Sequence, residues 1–99
     1  MNIQIQSIHF TADKNLLAFI EEKVEKLNHF YDGIISSEVF LRLDNSGESA
    51  NKVAEIKLNV PGNDLYVKRQ CKTFEEAIDT GISAISKQVK RYKEKQKGI

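Results

Sequence analysis

The feature that most constrains the fold of this chain is its hydrophobic pattern, which switches between a period of two and a period of about 3.6 residues. Ile3 and Ile5 alternate with glutamines, as in a strand with one buried face. From Leu16 to Leu27 the apolar residues recur at helical spacing, and alternation returns after residue 34. The pattern therefore predicts a strand, then a helix, then further strands.

Capping and turn residues set the boundaries of the first helix. We expect this helix over residues 12–29, with the hydroxyl of Thr11 as its N-cap and the carboxylate of Asp13 in its first turn. The helix should end before Asp32-Gly33, because this pair favours a turn.

Three strands should follow this helix. The alternating segments are residues 34–44, 52–60 and 65–72. A polar cluster predicts a loop at 45–49, and Pro61-Gly62-Asn63-Asp64 predicts a hairpin turn, because proline presets φ and glycine tolerates a positive φ. In the last strand, either Tyr66 or Val67 could face inward.

The second helix begins with a capping box, because Thr73 can cap the backbone N–H of Glu76 and the Glu76 side chain can reach back. We expect the helix to run from residue 74 to about residue 94. Its predicted apolar face comprises Phe74, Ile78, Ile82, Ile85, Val89 and Tyr92. Gly81 lowers helix stability by roughly 1 kcal/mol relative to alanine, so we expect a strand or helix to approach closely there.

This order of elements predicts an α+β fold, β-α-β-β-β-α, in which a four-stranded mixed sheet carries both helices on one face. The first β-α-β unit should be a right-handed crossover between parallel strands. A chain of 99 residues supports one core, so we expect a single domain over residues 1–99.

Composition excludes several classes of protein. No apolar run approaches the roughly 18–20 residues of a membrane span, and the N-terminus lacks the regions of a signal peptide. Cys71 is the single cysteine, which excludes an intrachain disulfide and a multi-cysteine zinc site. We therefore expect a cytoplasmic protein.

Catalytic motifs are missing from the sequence. It contains none of the common phosphate-loop, dinucleotide-binding, zinc-protease or nucleophile-elbow patterns. We interpret His9 and His29 as surface or cap residues, Cys71 as a small hydrophobic residue, and Asp79 as a helix-surface charge that could pair with a nearby lysine. The sequence thus predicts no enzyme, no cofactor and no metal.

The distribution of charge is the most informative functional feature. The formal net charge is only +1, yet residues 87–99 carry six Lys or Arg against one acid, Glu94. The last two turns of the second helix therefore present cations nearly all round their solvent side. Such cations complement the helix dipole and keep a surface soluble, but they also suit a phosphate backbone read by shape rather than by base sequence.

These residues resemble the short ribosome hibernation promoting factors, a family that includes the ribosome-associated inhibitor. The resemblance lies in Phe30-Tyr31-Asp32, in SEVFLRL at 37–43, in Pro61-Gly62-Asn63, and in TFEEAIDTGISAISKQVKRYKEKQK at 73–97. Thr73, Glu75 and Val89 depart from the family's usual Asp, Tyr and Leu at these positions.

The resemblance implies a fold similar to the double-stranded-RNA-binding domain with an extra N-terminal strand. It also implies binding to the small ribosomal subunit, in the path of mRNA and tRNA, and inhibition of translation in starved or stationary cells. Its expected contacts are to ribosomal RNA phosphates. The positions that match the family's RNA-binding residues are Lys23, Lys26, Lys87, Gln88, Lys90, Arg91 and Lys93.

Long members of this family carry a C-terminal dimerisation domain that pairs ribosomes. We expect this chain to lack that domain, so that pairing of ribosomes would need a second factor.

Two alternatives remain open at this point, and the sequence lacks the patterns that a third would need. The chain could be a general double-stranded-RNA-binding module, or a protein-interaction module that uses an open sheet face with Phe40, Val53 and Tyr66 exposed. A small hydrolase of the acylphosphatase type would need an Arg and an Asn at a phosphate-binding loop and a final strand, and neither pattern is present.

Overall fold

A computed structural model describes residues 2–44, 47 and 49–96. Its elements are β1 (Asn2–Ser7), α1 (Lys14–Phe30), β2 (Ser36–Leu43), β3 (Lys52–Val60), β4 (Asn63–Cys71) and α2 (Phe74–Gln96). This is the predicted order of elements. The expected loop at 45–49 lies partly outside the described residues. Lys97, one of the six cations of residues 87–99, also lies outside them.

The four strands form one mixed sheet in the order β1-β2-β3-β4. β1 pairs in parallel with β2, while β2 with β3 and β3 with β4 pair antiparallel. The two-residue turn Pro61-Gly62 joins β3 to β4, and the φ of +77° at Gly62 is one that glycine adopts without strain. The sheet therefore confirms the predicted mixed topology.

One face of this sheet carries the core. Val39 of β2, Ile56 of β3 and Val67 of β4 lie side by side in the register and are buried. Both helices pack on this face through buried residues that include Ile20 of α1 and Ile85 of α2. The α+β arrangement is thus confirmed, and the inward residue of β4 is Val67 rather than Tyr66, which is 48% exposed.

The start of α1 differs from the prediction. The N-cap is Asp13, whose side chain accepts a hydrogen bond from the Leu16 N–H at 2.7 Å, so the assignment to Thr11 was wrong. The reason lies upstream, where His9 adopts a φ of +65° and the Phe10 ring stacks on Phe74 at 5.1 Å between centroids. The chain leaves this contact in an extended conformation, since Asp13 still has φ −77° and ψ 166°, and the helix begins at Lys14.

The start of α2 agrees with the prediction. The Thr73 hydroxyl oxygen accepts a hydrogen bond from the Glu76 N–H at 3.1 Å, and the helix begins at Phe74. A Cβ at Gly81 would lie 3.0 Å from Cδ1 of Ile56. The glycine therefore permits the close approach of α2 to β3 that its position indicated.

The open face of the sheet, opposite the helices, is less apolar than expected. Val53 is only 1% exposed, which corrects the expectation of an exposed side chain there. In the register it lies between the long side chains of Arg42 and Gln70. The Gln70 amide is held in place by hydrogen bonds to Asp44 and to the backbone carbonyl of Ala50. These neighbours cover Val53 and remove most of the apolar surface that a protein-interaction face would use.

Candidate nucleic-acid interface

The two helices run in the same direction and bring their C-terminal ends together. Near the middle of α1, Lys23 Nζ lies 3.1 Å from Asp79 Oδ1 of α2. Immediately after α1, the Tyr31 ring lies 5.9 Å from Lys93 Nζ near the end of α2. Because both contacts follow the same order along the two helices, the last turns of α1 and α2 form one end of the molecule.

The dominant feature of that end is a group of cations on α2. We call it the basic end of α2, and it consists of Lys87, Lys90, Arg91, Lys93 and Lys95. All of these except Lys93 are exposed. In the part of the chain that the structure describes, none of them forms an ion pair. Their charge is therefore available to an external anion.

The side of this helix that faces β4 is fixed by polar contacts. The Gln88 amide donates a hydrogen bond to the backbone carbonyl of Tyr66 at 3.0 Å, and the Tyr92 hydroxyl donates to that of Pro61 at 2.7 Å. Arg91 and Lys95 line a shallow cleft beside these contacts. Gln88 thus has an intramolecular partner that its sequence position did not reveal, and the contact helps hold α2 against the edge strand.

The two predicted cations of α1 stand in a different environment. Lys23 is half-buried between Asp79 and the ring of Phe19, whose centroid is 5.4 Å from Nζ. Lys26 is exposed, and its Nζ lies 4.0 Å from Glu22 Oε1. Both lysines already face carboxylates, so they contribute less free positive charge than the basic end of α2. The expectation that Asp79 could pair with a lysine is confirmed.

Two aromatic residues, Phe30 and Tyr31, lie at the end of α1, and the sequence pattern assigned them no functional role. Phe30 is 74% exposed, and the His29 ring meets it edge-on with centroids 6.0 Å apart. Tyr31 is half-buried under Lys93. The adjacent aromatic residues Phe30 and Tyr31 are visible in the sequence as a candidate binding feature. Only the packing of α1 against α2 shows that Tyr31 is a neighbour of a cation on α2.

The open face of the sheet has the opposite electrostatic character. Arg42 pairs with Glu55 at 3.4 Å, and Lys57 pairs with Asp64 at 3.7 Å. The Tyr66 hydroxyl donates a hydrogen bond to Glu55 at 2.5 Å, and this bond, more than desolvation, raises the pKa of the Tyr66 phenol. Arg42 and Lys57 on this face are thus paired with acids, and Lys68 is the cation of the face that forms no ion pair among the described residues. The larger group of unpaired cations lies at the basic end of α2.

The residues considered for catalysis do not converge. Cys71 Sγ lies 3.9 Å from the Thr80 hydroxyl, while His9 and His29 are exposed on separate elements. Within residues 2–44, 47 and 49–96, no group of three or more His, Cys, Asp or Glu side chains is placed to hold a metal ion. No helix in that same part of the chain has the length and apolar character needed to cross a membrane.

Comparison with known proteins supports the sequence resemblance. A curated ribosome hibernation promoting factor from Pseudomonas putida is 23% identical over 99 residues, which is 100% of this chain and 93% of that protein. Among solved structures, the N-terminal domain of Thermus thermophilus Protein Y is 26% identical with a TM-score of 0.79. That alignment covers 93% of this chain and 99% of the Thermus domain.

A more distant structure shares the same fold. A ribosomal subunit interface protein from Coxiella burnetii is 16% identical, with a TM-score of 0.79 over 94% of this chain and 98% of its own. The family model described as sigma 54 modulation protein / S30EA ribosomal protein matches residues 3–97, nearly the whole sequence. The resemblance to ribosome hibernation factors is thereby confirmed, and the chain belongs to the sigma 54 modulation protein / S30EA ribosomal protein family.

Proposed function

We propose that this protein is a ribosome hibernation factor that binds the small ribosomal subunit through phosphates of ribosomal RNA. In this proposal it occupies the path of mRNA and tRNA and so inhibits translation in starved or stationary cells. Family membership supports ribosome association, as do the names of a hibernation promoting factor and a subunit interface protein among its relatives. The proposed site of action is the cytoplasm, where ribosomes work.

The observation that carries the proposal is the uncompensated charge at the basic end of α2. Lys87, Lys90 and Arg91 project from consecutive turns of one helix, are exposed, and form no ion pair with any described residue. Cations in this state release counterions from RNA when they bind phosphates, which is the main source of sequence-independent affinity. The open face of the sheet carries acids beside its cations, so it should gain less affinity for RNA phosphates.

The other candidate residues have supporting roles in this proposal. Lys93 lies close to Lys90 and Arg91 in sequence, and Lys26 lies near the C-terminal end of α1; in this proposal both add contacts at the shared end of the helices. Lys23 and Gln88 act mainly by holding the two helices and β4 in place, through Asp79 and the Tyr66 carbonyl. Inhibition follows from occlusion alone, because a bound domain excludes mRNA and tRNA without any chemical step. Pairing of ribosomes, in this proposal, needs a second factor.

Charge reversal at three positions tests the proposal. We expect Lys87→Glu, Lys90→Glu and Arg91→Glu together to abolish inhibition in an in vitro translation assay. These side chains are exposed and contribute little packing, so each change should alter the free energy of unfolding by less than about 0.5 kcal/mol. Circular dichroism and urea denaturation of the variant check that the fold is retained.

The matched control reverses two cations on β3, Lys52→Glu and Lys57→Glu. Both lie outside the basic end of α2, and Lys57 already pairs with Asp64. The control should keep most of the inhibition. If the helix variant inhibits like wild type, or the strand variant fails equally, the RNA-binding surface lies elsewhere.

A competition experiment separates this function from that of a general double-stranded-RNA-binding module. Free duplex RNA presents the same phosphates but lacks the shape of the subunit channel. We expect an excess of duplex to displace the protein weakly from small subunits at physiological salt. Equal affinity for the duplex and the subunit would favour the general module.

A further inference from the structure

Phe30 has no role in the fold that accounts for its position. It is the last residue of α1 and is 74% exposed, more than any other large hydrophobic residue that the structure describes as exposed. The helix is closed at this point by the backbone bond from the Tyr31 N–H to the Leu27 carbonyl, in which the Phe30 side chain takes no part. A single exposed apolar ring is common on a protein surface, so its significance depends on the groups that surround Phe30.

The described side chains that surround Phe30 end in charged or polar groups, and Phe30 is the one large apolar side chain among them. It lies in a shallow cleft whose other lining residues are Glu22, Glu25, Lys26 and His29. The His29 ring meets Phe30 edge-on, which favours one orientation of the phenyl ring. A hydrophobic protein segment would need a broader apolar patch than this single ring provides. A flat, polar-edged ligand that stacks on one ring fits the cleft better.

The position of Phe30 links it to the basic end of α2. The next residue, Tyr31, lies under Lys93 Nζ at 5.9 Å, and Lys26 lines the same cleft as Phe30. Lys93 of α2 therefore stands next to the residue that follows Phe30, while Lys26 shares the cleft with Glu22 and Glu25 and lies 4.0 Å from the Glu22 carboxylate. An aromatic face beside cations matches a nucleotide, which presents both a π face and a phosphate.

From these contacts we infer that Phe30 is a stacking platform for an unpaired RNA base, while the phosphates of the same strand are bound by the basic end of α2. The inference rests on the proposed function and names a second mode of contact within it. The carboxylates of Glu22 and Glu25 repel a phosphate backbone, so the strand approaches from the side of Lys93 and the basic end of α2. The base, which is uncharged, is the part that reaches Phe30.

Three substitutions at Phe30 in the full chain test the inference against purified small ribosomal subunits. Phe30→Ala should weaken binding at least about fivefold, which is the lower range for loss of a base–aromatic stack. Phe30→Leu keeps an apolar side chain without a π face and should lose nearly as much affinity, whereas Phe30→Trp should keep wild-type affinity or exceed it. Because Phe30 neutralises no phosphate, the salt dependence of binding should stay the same in all three variants.

The matched control is Lys90→Gln, which should lower both the affinity and the slope of its salt dependence. Full affinity in Phe30→Leu would mean apolar docking on a protein and would overturn the inference. Full affinity in Phe30→Ala would overturn it as well.

A fluorescence measurement decides the inference independently of ribosome binding. The chain contains no tryptophan, so Phe30→Trp introduces a single tryptophan at the proposed platform, whose emission can be excited selectively over that of the three tyrosines. Single-stranded oligoadenylate at low salt should quench its emission by stacking. Tyr66→Trp, on the charge-balanced sheet face, is the matched control and should be quenched far less. Equal quenching of the two variants, or none in Phe30→Trp, would refute stacking, whereas failure of wild type to bind subunits would refute only the proposed function.

Discussion

At the scale of single residues, Gly81 determines how closely α2 can approach the sheet. A Cβ at this position would lie 3.0 Å from Cδ1 of Ile56, and 3.8 Å from side-chain atoms of Arg69 and Val67. Ile56 is fully buried, so its side chain has little room to move away. The gain in helix propensity on replacing glycine and the crowding against Ile56 therefore oppose each other.

A double-mutant cycle measures this opposition. We expect Gly81→Ala alone to leave the free energy of unfolding nearly unchanged or lower it, because a propensity gain of about 1 kcal/mol meets an overpacking cost of about 1–3 kcal/mol. Ile56→Val removes Cδ1 and should cost about 0.5–1.5 kcal/mol. In that background Gly81→Ala should become stabilising by about 1 kcal/mol, as measured by urea denaturation. Strict additivity of the two changes would contradict the contact.

Single residues also show which structural details a sequence pattern does not predict. Alternation placed Val53 on the open face correctly, but its exposure depends on the lengths of its cross-strand neighbours, Arg42 and Gln70. Tyr66 and Val67 are adjacent and both largely apolar, so either could face the core by pattern alone. Pairing of Val67 with Ile56 in the register decides between them.

At the scale of elements, the two helix starts differ in how far local sequence determines them. The T-x-x-E pattern at Thr73 has one candidate cap, and the cap forms as predicted. Ahead of α1, Thr11 and Asp13 are both suitable acceptors, and stacking of Phe10 on Phe74 selects the second. Because that stack joins residues 64 positions apart in sequence, no local pattern contains it.

Alanine substitutions at the two candidate caps test this assignment. Asp13→Ala should lower the free energy of unfolding by about 0.5–2 kcal/mol, because the Leu16 N–H loses its acceptor. Thr11→Ala should change it by less than about 0.5 kcal/mol. The measurement is the urea midpoint of each variant with the slope held in common. A larger loss at Thr11 than at Asp13 would place the cap two residues earlier.

At the scale of the whole molecule, the sequence predicted the fold and the cations but not how the site is assembled. A helical wheel locates Lys87, Lys90 and Arg91 on the solvent side of α2 without any tertiary information. The pairing of Lys23 with Asp79 and the position of Tyr31 under Lys93 depend on two helices packing in parallel. That packing was predicted only as two helices on one face, so the neighbours across it could not be named.

The distribution of charge over the whole fold separates two surfaces. Two of the cations on the open sheet face are paired with acids, Arg42 with Glu55 and Lys57 with Asp64. Cations on the basic end of α2 have no such partners among the described residues. A formal net charge of +1 therefore hides a molecule with one strongly cationic end. This end, rather than the molecule as a whole, is the surface that we propose for binding an RNA backbone.

The most direct test of the central claim is the affinity of the full chain for purified small ribosomal subunits across a salt series, measured by co-sedimentation. With about five phosphate contacts, affinity should fall by roughly two to three decades between about 50 and about 200 mM salt. Replacing Lys87, Lys90 and Arg91 by glutamine should reduce the slope by about one for each residue. An affinity that does not change with salt, or a slope that is the same in this triple variant, would contradict binding through the basic end of α2.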